Sequence, residues 1–186
     1  MRVSIFFISL IFFTSSCVEP PNDAEILWDH YGIPHIYAQN PNDLFYAYGW
    51  AQTHAHGNLL LRLYGQARGR GAEYWGKDFL NSDKWMWING VPQRSARWVK
   101  EQVDPYKSML ENYVTGINEY ADQNPNNIDE KYNVVLPITV EDVMSHVQRV
   151  LHFTFVFDPD DLKAAENSWK KVNGSNAWAI APSRSA

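Results

Sequence analysis

The run from Asn40 to Gly69 limits the possible folds more than any other part of the chain. Asn40 is a residue that commonly caps helices, and Pro41 follows it at the first helical position. Apolar side chains then recur at intervals of three and four, at Leu44, Ala47, Tyr48, Ala51, Ala55, Leu59 and Leu63. This spacing predicts the longest helix of the chain, ending between Gly65 and Gly69.

Shorter elements are predicted on both sides of this helix. Alternating apolar residues from 25 to 37, around the turn sequence Asp29-His30-Tyr31-Gly32, predict a β-hairpin. Segment 68–76 contains three glycines, so we expect the chain to turn there rather than continue as a regular helix. The sequence before residue 158 is otherwise mainly helical in character.

Two further helices are predicted from their first residues. Asp104-Pro105 begins one of them, and its apolar rhythm continues to the breaking sequence Asn124-Pro125. Thr139 and Asp142 have the spacing of a capping box, in which each side chain binds the other's backbone N–H. The second helix follows this box and carries apolar residues as far as Phe155.

The long helix and the bend contain charged and histidine side chains that are candidate ligands for a substrate or a metal. Arg68 and Arg70 could hold a substrate carboxylate, but arginines in such bends more often bind neighbouring carbonyls and acids, so we favour a structural role. His54 and His56 are two residues apart, and on a helix they point about 200° away from each other. They cannot share a metal, and we predict no transition-metal site.

The N-terminus is typical of a secretory signal. Arg2 precedes an apolar run over residues 3–13 that is too short to span a bilayer, and small residues lead to Cys17. We predict a signal peptide over residues 1–16 and an exported, periplasmic protein. A cysteine in this position is typical of a bacterial lipoprotein, so lipid on Cys17 is the expected membrane attachment, although Thr14 stands where leucine is usual. Ordinary cleavage, leaving an unmodified thiol, is the alternative.

Composition argues against an intrachain disulfide and against a nucleic-acid partner. Cys17 is the only cysteine, so no intrachain disulfide can form and the fold depends on its core. Lysine and arginine number 16 against 21 aspartates and glutamates, giving a formal charge of −5. Since no basic stripe is present to follow a phosphate backbone, nucleic acid is not expected as a partner.

The sequence Asn173-Gly174-Ser175-Asn176 has more than one interpretation. Asn-Gly favours a tight hairpin turn, and Asn173-Gly174-Ser175 also matches the short N-glycosylation pattern. Alternatively, a cut between Gly174 and Ser175 would place Ser175 at a new N-terminus. Its hydroxyl and its α-amine would then supply a nucleophile and a base from one residue.

Taken together, four segments resemble the penicillin acylase family of N-terminal-nucleophile amidohydrolases, which includes penicillin, cephalosporin and acyl-homoserine lactone acylases. The segments are Trp28–Ala38, Asp43–Gln52, Arg68–Gly76 and Gly174–Trp178. The resemblance extends from about residue 24 to the end of the sequence. One departure lies in the long helix, where many members have an acid and an arginine and this chain has His56-Gly57-Asn58 after Ala55.

The resemblance implies a precursor that cuts itself between Gly174 and Ser175. The products would be an α-subunit of residues 17–157, a spacer of residues 158–174 and a β-subunit beginning at Ser175, which would remain associated with the α-subunit. The implied fold of this piece is mainly α, with a short N-terminal β-hairpin and a C-terminal strand. The whole protein would be an α+β four-layer αββα hydrolase.

The resemblance also implies roles for individual residues. Ser175 would be the nucleophile with its own α-amine as base, while the oxyanion donors would lie beyond Ala186, so this piece alone is expected to be inactive. Leu151 and Phe155 correspond to residues that line the acyl pocket, although an ordinary core role is equally open. Asp161 lies near a calcium-ligating acid of some members, so a structural calcium is the one ion expected, and the chemistry needs no cofactor.

The expected substrate is a small-molecule amide that joins an acyl chain to an amine-bearing core. An acyl-homoserine lactone acylase is the alternative within the same class. A non-catalytic exported lipoprotein that binds sugars through surface tryptophan and tyrosine is the alternative from a different class.

Overall fold

A computed structural model describes residues 23–156. In this part of the chain, strands β1 (Ala24–Trp28) and β2 (Pro34–Ala38) form an antiparallel pair, and the rest is mainly helical. The helices are α1 (Pro41–Ala67), α2 (Gly71–Trp75), α3 (Leu80–Ile88), α4 (Val91–Glu101), α5 (Tyr106–Gln123) and α6 (Val140–Val150). Short 3-10 helices cover Lys77–Phe79, Pro125–Asn127 and Glu130–Val135, and a π-helical segment, Leu151–Val156, continues α6.

The predicted hairpin is confirmed, and Asp29 explains its turn. One Asp29 carboxylate oxygen accepts the backbone N–H groups of Tyr31 and Ile33, each at 2.9 Å. Beyond the turn, the strands pair with Ala24 opposite Ala38. One face of the pair is buried on α1, where Ala24 joins a small core cluster with Trp50.

The long helix α1 is also confirmed, with one break. Asn40 accepts the backbone N–H of Asp43 at 3.0 Å, as a capping residue does, and Gly69 follows the helix with a φ of 67°. Inside α1, however, His56 has φ −143° and ψ 29°, which is not helical. The break lies at the first residue of the sequence His56-Gly57-Asn58.

Helix α5 begins where Asp104-Pro105 predicted and packs against α1 with almost no space between the two backbones. A Cβ added to Gly49 would lie 2.1 Å from the carbonyl oxygen of Tyr113, and one added to Gly116 would lie 2.1 Å from that of Tyr46. The two glycines therefore permit a contact that a side chain would prevent. The main core continues from this contact along Leu61 and its neighbours on α5.

Residues 68–103 differ from the prediction. A bend does occur at Arg68 to Arg70, but it is followed at once by the short helix α2. Asp83 supports this helix by accepting the backbone N–H groups of Gly71 and Ala72 at 2.9 and 2.7 Å. Helices α3 and α4 follow, and neither was predicted from the sequence.

Among the helices within residues 23–156, none combines the length and the apolar character needed to cross a membrane.

Candidate functional site

Most of the predicted functional residues fall outside the described part of the chain. This applies to the predicted nucleophile, cleavage site, lipid attachment and calcium ligand, which are Ser175, Gly174, Cys17 and Asp161. It applies equally to the signal peptide, the spacer and the C-terminal strand. The two predicted pocket residues are in the π-helical segment, where Leu151 is 49% exposed and the Phe155 side chain is not described. The described part of the site is therefore helix α6 with its continuation.

The N-terminus of α6 is fixed by the predicted capping box. The backbone N–H of Asp142 lies 3.4 Å from the hydroxyl oxygen of Thr139, which accepts it. In return, one carboxylate oxygen of Asp142 accepts the backbone N–H and the hydroxyl of Thr139 at 2.7 and 2.9 Å. These bonds satisfy orphan donors of the first turn, so the start of α6 is well defined.

The same carboxylate forms a buried ion pair with Arg68 at the end of α1. The Arg68 Nε donates to one Asp142 oxygen at 2.6 Å and a terminal nitrogen donates to the other at 2.8 Å. The two side chains are only 18% and 5% exposed. Burial acts to lower the Arg68 pKa, but the hydrogen bond and charge of Asp142 outweigh it and raise the pKa above its ordinary value.

The structural role predicted for both arginines is confirmed. Arg68 also donates to the carbonyl oxygen of Pro137 at 3.0 Å, so it ties the bend to the start of α6. Arg70 pairs instead with Glu73, with its Nε 2.6 Å from a carboxylate oxygen, and both side chains are exposed.

Helix α4 holds the other side of α6 through buried polar contacts. The Ser95 hydroxyl oxygen accepts from the Ser145 hydroxyl at 2.8 Å and from the Gln148 amide at 2.6 Å. Arg94 donates to the Gln148 side-chain oxygen and lies 3.4 Å from His152. The helix that carries Leu151 is thus fixed on two sides before its apolar end reaches the surface.

The middle and the C-terminal end of α6 carry groups that lack partners. The His146 ring stands edge-on to Tyr64 with centroids 5.6 Å apart, and its Nδ1 is buried without a hydrogen bond in the described structure. Burial, and secondly the charge of Arg149, lowers the pKa of His146. Neither Arg149 nor its neighbour Arg62 on α1 makes an ion pair or a side-chain hydrogen bond with any residue between 23 and 156. None of these three residues was singled out from the sequence.

The histidines of α1 take separate positions. His54 stacks on Trp50 with centroids 5.5 Å apart, and its Nδ1 lies 3.2 Å from the Tyr120 hydroxyl. His56 is exposed at the break in the helix. Across residues 23–156, no three histidine, cysteine, aspartate or glutamate side chains come together as a metal site would require.

A shallow surface groove lies between α5 and the loop before α6. Its lining residues are Asn118, Ala121, Asp122, Pro125, Asn133, Leu136 and Pro137. None of the predicted site residues lines this groove.

Comparison with known proteins supplies the context of this site. The chain is 30% identical over 102 residues to penicillin G acylase of Escherichia coli, covering 55% of this chain and 12% of that protein. It is 28% identical over 149 residues to the acyl-homoserine lactone acylase PvdQ of Pseudomonas syringae pv. syringae, covering 72% of this chain and 19% of that protein. The chain therefore spans less than one fifth of either relative.

A solved structure shows a similar fold. A thermostable penicillin G acylase from Alcaligenes faecalis matches with a TM-score of 0.63 and 20% identity, over 86% of this chain and 97% of the solved chain. This likeness supports the mainly helical fold with its hairpin, while the four-layer arrangement of the whole protein stays a prediction. The family model described as penicillin amidase matches residues 23–186. The chain belongs to the penicillin amidase family.

Proposed function

We propose that the full-length protein is a self-processing acylase that hydrolyses a linear amide between an acyl group and an amine-bearing core. One observation carries the proposal: the family match covers residues 23–186 and so includes Gly174-Ser175. Because the Gly-Ser step lies inside the matched region, we favour a processing site over an incidental hairpin turn.

The lengths of the relatives support a cut in this region. The solved chain from Alcaligenes faecalis is covered over 97% by this chain, so the two are similar in length. The curated relatives are far longer, since the matched regions are only 12% and 19% of them. An uncut precursor would have the greater length of the curated relatives, and its N-terminal product after a cut near residue 174 would have the length of the solved chain. On this basis we propose an α-subunit of residues 17–157, a spacer of residues 158–174 and a β-subunit that starts at Ser175.

In the proposed self-cleavage, the Ser175 hydroxyl oxygen attacks the carbonyl carbon of Gly174. The C–N bond breaks, an ester forms between Gly174 and the Ser175 oxygen, and the nitrogen becomes the α-amine. Water then hydrolyses the ester. The products are a carboxylate on Gly174 and a free Ser175 with both its hydroxyl and its amine available.

In the mature enzyme, the same oxygen attacks the substrate amide. The α-amine, whose ordinary pKa is about 7.7–8.0, accepts the hydroxyl proton through a water molecule and delivers it to the departing amine. Water hydrolyses the resulting acyl ester and regenerates Ser175. Donors for the oxyanion would come from the polypeptide beyond Ala186, so residues 1–186 alone are expected to be inactive.

Leu151 and Phe155 are proposed to contact the acyl group. Leu151 is half exposed at the end of a helix that buried polar contacts hold in place on two sides. A half-exposed apolar side chain on a fixed helix is suited to bind an apolar chain. This arrangement favours an apolar acyl group over a charged one.

A second candidate is the hydrolysis of acyl-homoserine lactones. The match to the Pseudomonas syringae acylase has slightly lower identity than the match to penicillin G acylase, but it covers 72% of this chain against 55%. Both reactions break an amide through the same acyl ester. They differ in the amine that leaves and in the length of the acyl pocket.

The remaining proposals concern location and ions. The signal sequence favours export to the periplasm, with lipid on Cys17 attaching the protein to a membrane. Asp161 is the proposed calcium ligand, and such a calcium would support the structure rather than take part in the reaction.

The test is to express the full-length gene and determine the masses of the products. We expect two chains, one of which begins at Ser175. Ser175→Ala should abolish both cutting and turnover, whereas Ser183→Ala, a nearby serine control, should retain them. A chain that stays uncut and has no amidase activity would instead favour the non-catalytic binding lipoprotein. Phenylacetyl amides and acyl-homoserine lactones of increasing length would then separate the two candidate reactions.

A further inference from the structure

One arginine joins three elements of the chain at the C-terminal end of α6. The Nε of Arg94, on α4, donates to the side-chain oxygen of Gln148 on α6. A terminal nitrogen of Arg94 donates to the carbonyl oxygen of Asn89, directly after α3, at 2.9 Å. The same nitrogen lies 3.4 Å from Nε2 of His152 in the π-helical segment. Arg94 therefore connects α3 and α4 to α6 and its continuation.

No acid takes part in the contacts of Arg94 within the described part of the chain. Among residues 23–156, no carboxylate forms an ion pair with it, and its partners are neutral oxygen and nitrogen atoms. A guanidinium group can only donate, so Gln148 must present its oxygen and His152 an unprotonated Nε2. The amide nitrogen of Gln148 then faces Ser95, to which it donates at 2.6 Å. The orientation of the buried polar groups between α4 and α6 thus depends on Arg94.

The π-helical segment Leu151–Val156 is the part of the chain that these contacts hold. Such turns are rare, and they occur frequently at functional sites. In this segment, Phe153 packs against a small core cluster formed by the end of α1, α3 and α4, while Leu151 is half exposed. Arg94 contacts His152, the residue between them. Because a rotation of the segment would break this contact, Arg94 limits how Leu151 can turn.

We propose that Arg94 is a positioning residue that fixes the orientation of Leu151 and thereby sets which acyl chain the enzyme prefers. Arg94 acts through His152 and Gln148 rather than by contact with the substrate. The fixed segment follows from the hydrogen bonds, whereas the effect on acyl preference rests on the proposed function, in which Leu151 contacts the acyl group. An apolar pocket distinguishes chains that differ by one methylene by about 10- to 200-fold, so a small displacement of one lining side chain changes the preference.

The first experiment measures whether Arg94 holds the segment, and it requires neither cutting nor turnover. Hydrogen exchange of the full-length protein, read by peptide mass spectrometry, should be about tenfold faster over residues 151–156 in Arg94→Met, as loss of a hydrogen bond to a charged donor predicts. Arg94→Lys keeps the charge without the planar set of donors and should give an intermediate rate. Arg97→Met is the matched control, because Arg97 lies on the same helix and pairs with Glu101 on an exposed surface. An unchanged rate in both Arg94 variants would overturn the proposal.

The second experiment measures acyl preference in the active enzyme. The readout is the ratio of kcat/KM between the best and the worst substrate in a series of straight-chain acyl p-nitroanilides of increasing length. A variant that only loses folded protein lowers both values equally and leaves this ratio unchanged. Arg94→Met should bring the ratio about tenfold closer to one, and Arg94→Lys should recover part of the preference. An unchanged ratio in Arg94→Met would overturn the specificity role.

A double variant tests whether Arg94 acts through His152. His152→Leu alone should change the ratio in the same direction, and the combination with Arg94→Met should change it no further than Arg94→Met does. Additive changes would mean that the two residues act separately, and this would contradict the proposal. If the unmodified gene product is neither cut nor active, the proposed function fails, while hydrogen exchange still decides whether Arg94 holds the segment. The two failures are therefore distinguishable.

Discussion

The two ends of the α1–α6 interface differ in whether their charges are matched. At one end, Arg68 and Asp142 form a bidentate pair that also includes the cap of α6. At the other end, burial, and secondly the charge of Arg62, lowers the pKa of Arg149, which has no ion-pair partner among residues 23–156. The comparison teaches that, within the described residues, one end of this interface has matched charges and the other does not.

The largest expected effect is at the matched end. Arg68→Ala leaves the buried Asp142 carboxylate without its cation and should lower the free energy of unfolding by about 3–5 kcal/mol. Urea unfolding of the full-length protein would measure this loss. Arg70→Ala is the control, because the exposed Arg70–Glu73 pair should contribute at most about 1 kcal/mol. Equal losses for the two variants would mean that the buried Arg68–Asp142 pair contributes no more to the free energy of unfolding than the exposed pair.

A smaller loss of stability is expected from the capping box of α6 and can be measured separately from the contribution of the Arg68–Asp142 ion pair. Thr139→Ala removes the hydroxyl of the capping box but leaves Arg68 and Asp142 in place, so it should cost about 1 kcal/mol in the same urea experiment. Thr115→Ala serves as control, since Thr115 is exposed and its hydroxyl only donates to the carbonyl oxygen of Glu111 within α5. A loss as large as that of Arg68→Ala would assign the stability of this end to the cap.

The smallest expected effect is the acid response of His146, between the two ends. Burial, and secondly Arg149, lowers its pKa, so the unfolded chain binds a proton more readily than the folded one. Stability contributed by the neutral ring is therefore present near pH 7 and is lost as the pH falls below about 6.5, the ordinary histidine value. His146→Gln should reduce the fall in melting temperature between pH 7.5 and 5.5.

The control for this experiment is His56→Gln, since His56 is exposed at the break in α1. Tyr64 and Arg149 are the groups that face His146. If Arg149→Met also reduces the acid response, the charge of Arg149 contributes to it. If His146→Gln leaves the fall in melting temperature unchanged, other groups cause the acid sensitivity, and the buried His146 ring does not contribute to it.

Local signals account for the elements that the sequence predicted. The hairpin, α1, α5 and α6 each begin with a turn, a proline or a capping side chain, and each then shows a clear apolar period. Helix α3 has no capping side chain, and its Trp85-Met86-Trp87 cluster hides any period. Helix α4 did carry a usable signal, because Gly90 precedes it and Pro92 lies in its first turn.

Long-range contacts could not be read from local patterns. A structural role for Arg68 was predicted, but its partner Asp142 lies 74 residues later and was recognised only as a capping residue. Likewise, nothing near Arg62 in the sequence indicates that its charge will act on Arg149. The predicted catalytic chemistry at Ser175 came from resemblance, and it stays a prediction because Ser175 lies outside the described residues.

The close approach of α1 and α5 at Gly49 and Gly116 has a mechanical consequence. Because backbone lies directly on backbone there, α5 cannot slide along α1 by even one residue without driving a side chain into a carbonyl group. The two helices must then move together as one rigid unit. Any displacement imposed on the hairpin or on α6 would be taken up outside this pair of helices, for example at the polar Arg68–Asp142 contact, and not between α1 and α5.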